Sequence, residues 1–186
     1  NLQFNSDFPR AFVTSFNNAL ISHTKFISNI AYSSYTFQAE GGALMFSHGS
    51  CLKDRCNTNE IPTVIYSIFD NNYATPVRST DGSTPSLTLS GFGGAVNIQS
   101  SRVDLRLCNL TDNVAFSGQF DVGAAGGAIF NQDCSKGILA HTNFFRNGVR
   151  GFPSANTFTG GASGGAVYNK FVSMEVIGCI FDSNWV

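Results

Sequence analysis

Two short motifs alternate along this chain, and their alternation constrains the fold more than any single residue does. The first is Gly-Gly-Ala followed by an aliphatic residue. It occurs at Gly41-Gly42-Ala43-Leu44, Gly93-Gly94-Ala95-Val96, Gly126-Gly127-Ala128-Ile129 and Gly164-Gly165-Ala166-Val167. The second is an aromatic residue followed three positions later by asparagine. It joins Phe26 to Asn29, Phe69 to Asn72, Phe144 to Asn147 and Phe181 to Asn184, with a Leu110 to Asn113 variant. An internal repeat decides the architecture before any isolated residue can.

The spacings separate rigid from variable parts. From the motif alanine to the next aromatic position is 15 residues (Ala95 to Leu110), 16 (Ala128 to Phe144) and 15 (Ala166 to Phe181). The first full copy takes 26 (Ala43 to Phe69), and the surplus is a polar stretch around residues 50–60 that reads as an inserted loop. Counting 15 back from Phe26 reaches Ala11, so a degenerate repeat opens the chain with Pro9-Arg10 in place of the glycines. From asparagine to the next glycine pair the distance varies (12, 21, 13 and 17 residues), in Ser-, Thr- and Gly-rich segments such as Ala74 to Gly91 and Gly148 to Ser163. Variable length with turn-forming composition marks loops, and constant length marks a stacked core.

Aligned on the aromatic, the repeats form columns. Five positions before it stand Ile21, Val64, Leu105, Leu139 and Val176; two before it stand Thr24, Ser67, Cys108, Thr142 and Cys179. At the column itself are Phe26, Phe69, Leu110, Phe144 and Phe181, and three after it are Asn29, Asn72, Asn113, Asn147 and Asn184. A period of two within short segments means one face of a strand. A register kept from repeat to repeat means one solenoid coil per repeat. These features predict an all-β, right-handed parallel β-helix of about five coils. It forms one domain over residues 1–186, with coils at roughly 11–40, 41–92, 93–125, 126–163 and 164–186. Stacked strands lie about 4.8 Å apart. The aromatic column should therefore stack as rings and the asparagine column as an amide ladder. The glycine pairs call for positive φ or for close backbone approach. All these residues are read as structural, not as ligand-binding groups.

The pairing of GGA-[ILV] with FxxN resembles the repeat of the chlamydial polymorphic outer-membrane proteins, over nearly the whole chain from Ala11 to Asn184. The resemblance implies a β-helical passenger domain at the cell surface with adhesive or structural roles and no catalytic residues to carry over. Unlike the full-length pattern, this sequence shows no signal peptide, membrane barrel or initiator Met. It therefore reads as a mature or excised piece.

The 186 residues carry a net charge of −1, which suits one domain with a proper core. Without a basic patch, nucleic-acid binding is disfavoured, and no apolar run reaches the length of a membrane span. Only 12% of residues are charged, which fits an exported, hydroxyl-rich solenoid surface. Of five cysteines, Cys51 and Cys56 share the insertion and could close a small disulfide loop. Cys108 and Cys179 share an inward column two strand spacings apart, too far for a disulfide, and read as buried free thiols. Cys134 has no evident partner, and no cofactor or metal site is expected. Asn109-Leu110-Thr111 is an N-glycosylation sequon whose Asn109 should point outward.

Some β-helices degrade polysaccharides, so clustered carboxylates matter. Asp70 and Asp182 share one register but lie three coils apart, roughly 14 Å. Asp112 and Arg146 fall on neighbouring coils and read as a surface ion pair. His23 and His141 share a register three coils apart, and His48 lies elsewhere. No capping segment follows Asn184, and Leu2, Phe4 and Phe8 could cover or be donated to a neighbouring end. The sequence thus predicts an extracellular structural or adhesive β-solenoid, a surface-protein segment or head-to-tail fibre subunit. It would associate end to end or continue in a longer chain, and could meet host or matrix surface molecules. The alternative is a carbohydrate-active β-helix.

Overall fold

The computed structural model describes residues 12–14, 19–33, 39–47, 51–52, 55–56, 61–76, 91–116, 123–133, 137–150, 162–171 and 173–186. These residues form 23 strands and no helix. The strands are two to four residues long and pair almost wholly in parallel, each with its counterpart one repeat away. The protein is a parallel β-helix.

Each coil lays down strands in a fixed order. The strand after the glycine pair stacks as Phe12–Thr14, Leu44–Ser47, Val96–Gln99, Ile129–Gln132 and Val167–Lys170. The aliphatic column follows, as Leu20–Ser22, Thr63–Ile65, Asp104–Arg106, Gly137–Ala140 and Met174–Ile177. Next come the aromatic strands Lys25–Ile27, Ile68–Asp70, Asn109–Thr111, Asn143–Phe145 and Ile180–Asp182. Beyond the asparagines run Ile30–Ser33, Tyr73–Pro76, Val114–Phe116 and Gly148–Arg150, and Trp185 bridges to Gly148 in the fifth coil. The register matches the motifs: Phe69 lies between Phe26 and Leu110, and Phe144 pairs Phe181. Phe12 faces Leu44, so the first, glycine-free repeat enters the stack in phase with the others. The insertion holds a short pairing of its own. Cys51–Leu52 and Arg55–Cys56 pair as an antiparallel hairpin, with Cys51 opposite Cys56.

What keeps the strands so short is a set of single-residue corners. Ser28, Asn71, Asp112, Arg146 and Ser183 all have φ between 52° and 57°. His23, Tyr66, Leu107, His141 and Gly178 hold φ between 50° and 56°. Ser100, Asp133 and Phe171 make a third such column, and the first motif glycine makes the fourth. A left-handed residue reverses the local twist and turns the chain without a loop, at about 1–2 kcal/mol when it carries a Cβ. None of the twelve non-glycine corner residues is β-branched, the class least tolerant of positive φ.

The two motif glycines divide their labour. Gly93 sits at φ +65°, whereas Gly94 has ordinary φ but no room: a Cβ there would overlap the Gly127 carbonyl oxygen and the Val114 backbone. The chain crosses so close to the opposite wall that only hydrogen fits. Inside, Leu44, Val96, Ile129, Val64, Leu105, Leu139, Phe69, Leu110 and Phe144 are fully buried in one continuous core. Phe26 and Phe69 stack with ring centroids 4.8 Å apart, and Phe144 and Phe181 at 4.7 Å. The ring separation equals the strand spacing, so backbone pairing and aromatic stacking support the same register.

Candidate functional site

The asparagine column is a closed hydrogen-bond system. Asn113 Oδ1 accepts from the backbone N–H of Asn72 (3.1 Å) and from Asn72 Nδ2 (2.8 Å). Its Nδ2 donates to Asn147 Oδ1 (2.8 Å) and to the Phe69 carbonyl (3.0 Å). Asn72 and Asn147 repeat the pattern one coil away on either side. A primary amide offers two donors and two acceptor sites, and here all four are used. Asn72, Asn113 and Asn147 are buried and therefore act on the stack, not on a ligand.

The fifth coil carries the same columns but exposes them. Phe144 is fully buried while Phe181 is 49% exposed; Leu139 is fully buried while Val176 is 50% exposed. Ile177, Ile180, Val186 and Phe171 add to this apolar end. Cys108 is buried, and burial pushes its thiol pKa up. Cys179, expected to be buried as well, is only half-buried, because among the described residues no coil covers the fifth on its outer side.

A groove of about 460 Å³ runs down the corner after the aromatic strands. One side is the left-handed column Ser28, Asn71, Asp112 and Arg146, with Asp70 beside it. These groups bind one another laterally. Asn71 Nδ2 donates to Ser28 Oγ (3.1 Å), and Arg146 makes a bidentate pair with Asp112 (2.8 and 2.5 Å). That pairing raises the guanidinium pKa, with Asp70 contributing. The other side is the position just after the asparagine column: Tyr73, Val114 and Trp185. Tyr73 Oη donates to Asn71 Oδ1, tying the two sides together. Between Val114 and Trp185 stands Gly148, where a Cβ would overlap the indole. The Trp185 ring, 40% exposed, lies back across that gap.

The other residues singled out from the sequence fall elsewhere. Asn109 is exposed on the outer face of its strand and accepts from Asn143 Nδ2 (2.9 Å). His23 and His141 occupy corner positions, and His23 stacks on Tyr66 at 5.0 Å. The Cys51 and Cys56 side chains, Cys134, His48, the Pro9-Arg10 opening, Leu2, Phe4, Phe8 and most of the two long variable segments lie outside the described residues. Among the described residues, no cluster of His, Cys, Asp and Glu could hold a metal ion, and no helix is long and apolar enough to cross a membrane. The groove was missed in the sequence because Tyr73, Gly148 and Trp185 fall just outside both motifs. Aligning the residue after each asparagine would have exposed the Gly148–Trp185 pair. Comparison with family profiles, curated proteins and solved structures gives no match.

Proposed function

We propose that the chain is a structural and adhesive β-solenoid of a cell surface or extracellular fibre, extended through its fifth coil by a further coil. That coil comes from the same polypeptide or from another copy. The observation that carries this reading is the apolar face of the fifth coil, where Val176 and Phe181 repeat columns that are fully buried one coil inward, at Leu139 and Phe144. A sixth coil in register would bury them, and would supply an acceptor for Asn184 Nδ2 as Asn147 has in Asn184. The low charge content and the resemblance of the GGA/FxxN repeat to surface-exposed passenger domains support an extracellular place.

Electron microscopy of the native material tests this. Rods whose strand spacing of about 4.8 Å continues across subunit boundaries establish a polymer. A longer chain whose following residues add in-register coils supports the same reading without polymerisation. A monodisperse particle that leaves the fifth coil bare at high concentration would sink it.

A further inference from the structure

We propose that the groove between the Asn71–Asp112–Arg146 corner and the Tyr73–Val114–Trp185 strip binds an uncharged oligosaccharide laid along the stack axis. The proposal uses a side face of the helix and does not depend on what covers the fifth coil.

Length comes first. The lining runs from Ser28 in the first coil to Trp185 in the fifth, four strand spacings or about 19 Å. That is a site for several sugar rings rather than for one small molecule.

The two sides then divide the work as a saccharide requires. Trp185, 40% exposed, and half-buried Tyr73 bring aromatic rings to the two ends with buried Val114 between them, surfaces against which the C–H faces of pyranose rings can stack. Gly148 matters here: its missing side chain lets the indole lie flat across the coil instead of standing off it. The opposite side presents a carboxylate, an amide and a guanidinium, all planar groups that meet vicinal hydroxyls as acceptors or donors. Their mutual hydrogen bonds hold them before any ligand arrives, which lowers the entropy cost of binding.

Charge selects the class. Asp70 and Asp112 against Arg146 leave the groove at −1, and the one guanidinium is already held by Asp112 at two points. Its charge is already offset by Asp112, so a uronate carboxylate meets a net negative surface and acidic glycans are disfavoured. A peptide is a poorer fit. The strand edges of this fold face the ends of the stack, and a side groove offers no unpaired backbone row for an extended chain.

The chain's single tryptophan reports on the site directly. The whole chain is titrated with cellotetraose, tetra-N-acetylchitotetraose and mannotetraose, and with tetragalacturonate as the acidic probe, following Trp185 emission. At least one neutral tetramer is expected to shift the emission saturably at millimolar concentration or below, with no response to tetragalacturonate. By calorimetry, Tyr73→Ala should weaken that tetramer about tenfold, with far-ultraviolet circular dichroism and a cooperative melt showing that the variant is still folded, and Trp185→Phe should retain most of the affinity. Silence with all three neutral tetramers, a stronger response to tetragalacturonate, or unchanged affinity in Tyr73→Ala would each overturn the proposal.

Discussion

Replacing Asn113 by alanine should cost about 3–5 kcal/mol, whereas the same change at Asn29 should cost about 1 kcal/mol. Asn113 is fully buried and makes four side-chain hydrogen bonds. Its loss leaves the Phe69 carbonyl, the Asn72 backbone N–H and one Asn72 amide proton without the partner each has now. A buried polar group left unsatisfied costs about 1–3 kcal/mol, and the contributions of neighbours in one network do not add fully. Asn29 stands at the other extreme. It is partly exposed, and of its two bonds to Asn72 Oδ1 the backbone one survives in alanine. The comparison is best made by urea unfolding followed by far-ultraviolet circular dichroism, reading the midpoint at constant slope so that a change in cooperativity is not mistaken for a change in stability. Equal losses at the two positions, or a loss at Asn113 below about 1 kcal/mol, would mean that the amides fill space rather than tie coils together.

Three further outcomes follow from the corners, the glycines and a half-buried acid. Leu107→Asn should stabilise the fold by about 1 kcal/mol, because leucine pays for its left-handed φ of 53° while half its side chain is already in water; thermal unfolding measures it. Gly94→Ala should destabilise by about 3 kcal/mol or more, since the added methyl would meet the Gly127 carbonyl and the Val114 backbone, neither of which can rotate away; a wild-type melting curve would refute the close-approach argument. Burial raises the Glu40 pKa above 4.5, against the opposing hydrogen bond from Gln99 Nε2 (2.6 Å). The folded state therefore holds this proton more tightly than the unfolded one. The group's contribution is full at acid pH and is lost as pH rises from about 4.5 through the folded value. Glu40→Gln should raise the melting temperature at neutral pH and flatten its fall across that window.

How far the fold was legible depended on whether a column has a chemical identity. The asparagine and glycine columns do, because only an amide completes the ladder and only glycine fits beside the opposite wall. The aromatic column stayed readable despite Leu110, since burial tolerates any large apolar group. The corner of His23, Tyr66, Leu107, His141 and Gly178 has no common chemistry. Its residues share a backbone conformation, which a sequence displays only when glycine or asparagine fills it. The groove was hidden for a related reason. It arises where one coil lacks a side chain and the next has the largest one, a contrast between repeats, whereas the motifs record what repeats share. The fifth coil taught the reverse: Phe181 and Val176 carry the core pattern in full, yet burial belongs to the neighbour and not to the residue.

The parallel register also sets how the molecule would respond to tension. Tension applied to the chain ends loads the outermost coil first, since each coil is bonded only to those beside it. Peeling one coil, such as the 34 residues separating Asn113 from Asn147, frees about 110 Å of chain in exchange for a loss of stack height of about 4.8 Å. The solenoid would therefore lengthen in discrete steps of unequal size, the longest from the coil that carries the hairpin insertion. Single-molecule pulling should record a sawtooth with that uneven spacing; one all-or-none rupture would contradict it. A surface anchored by such a rod would gain a shock absorber whose travel greatly exceeds its resting height.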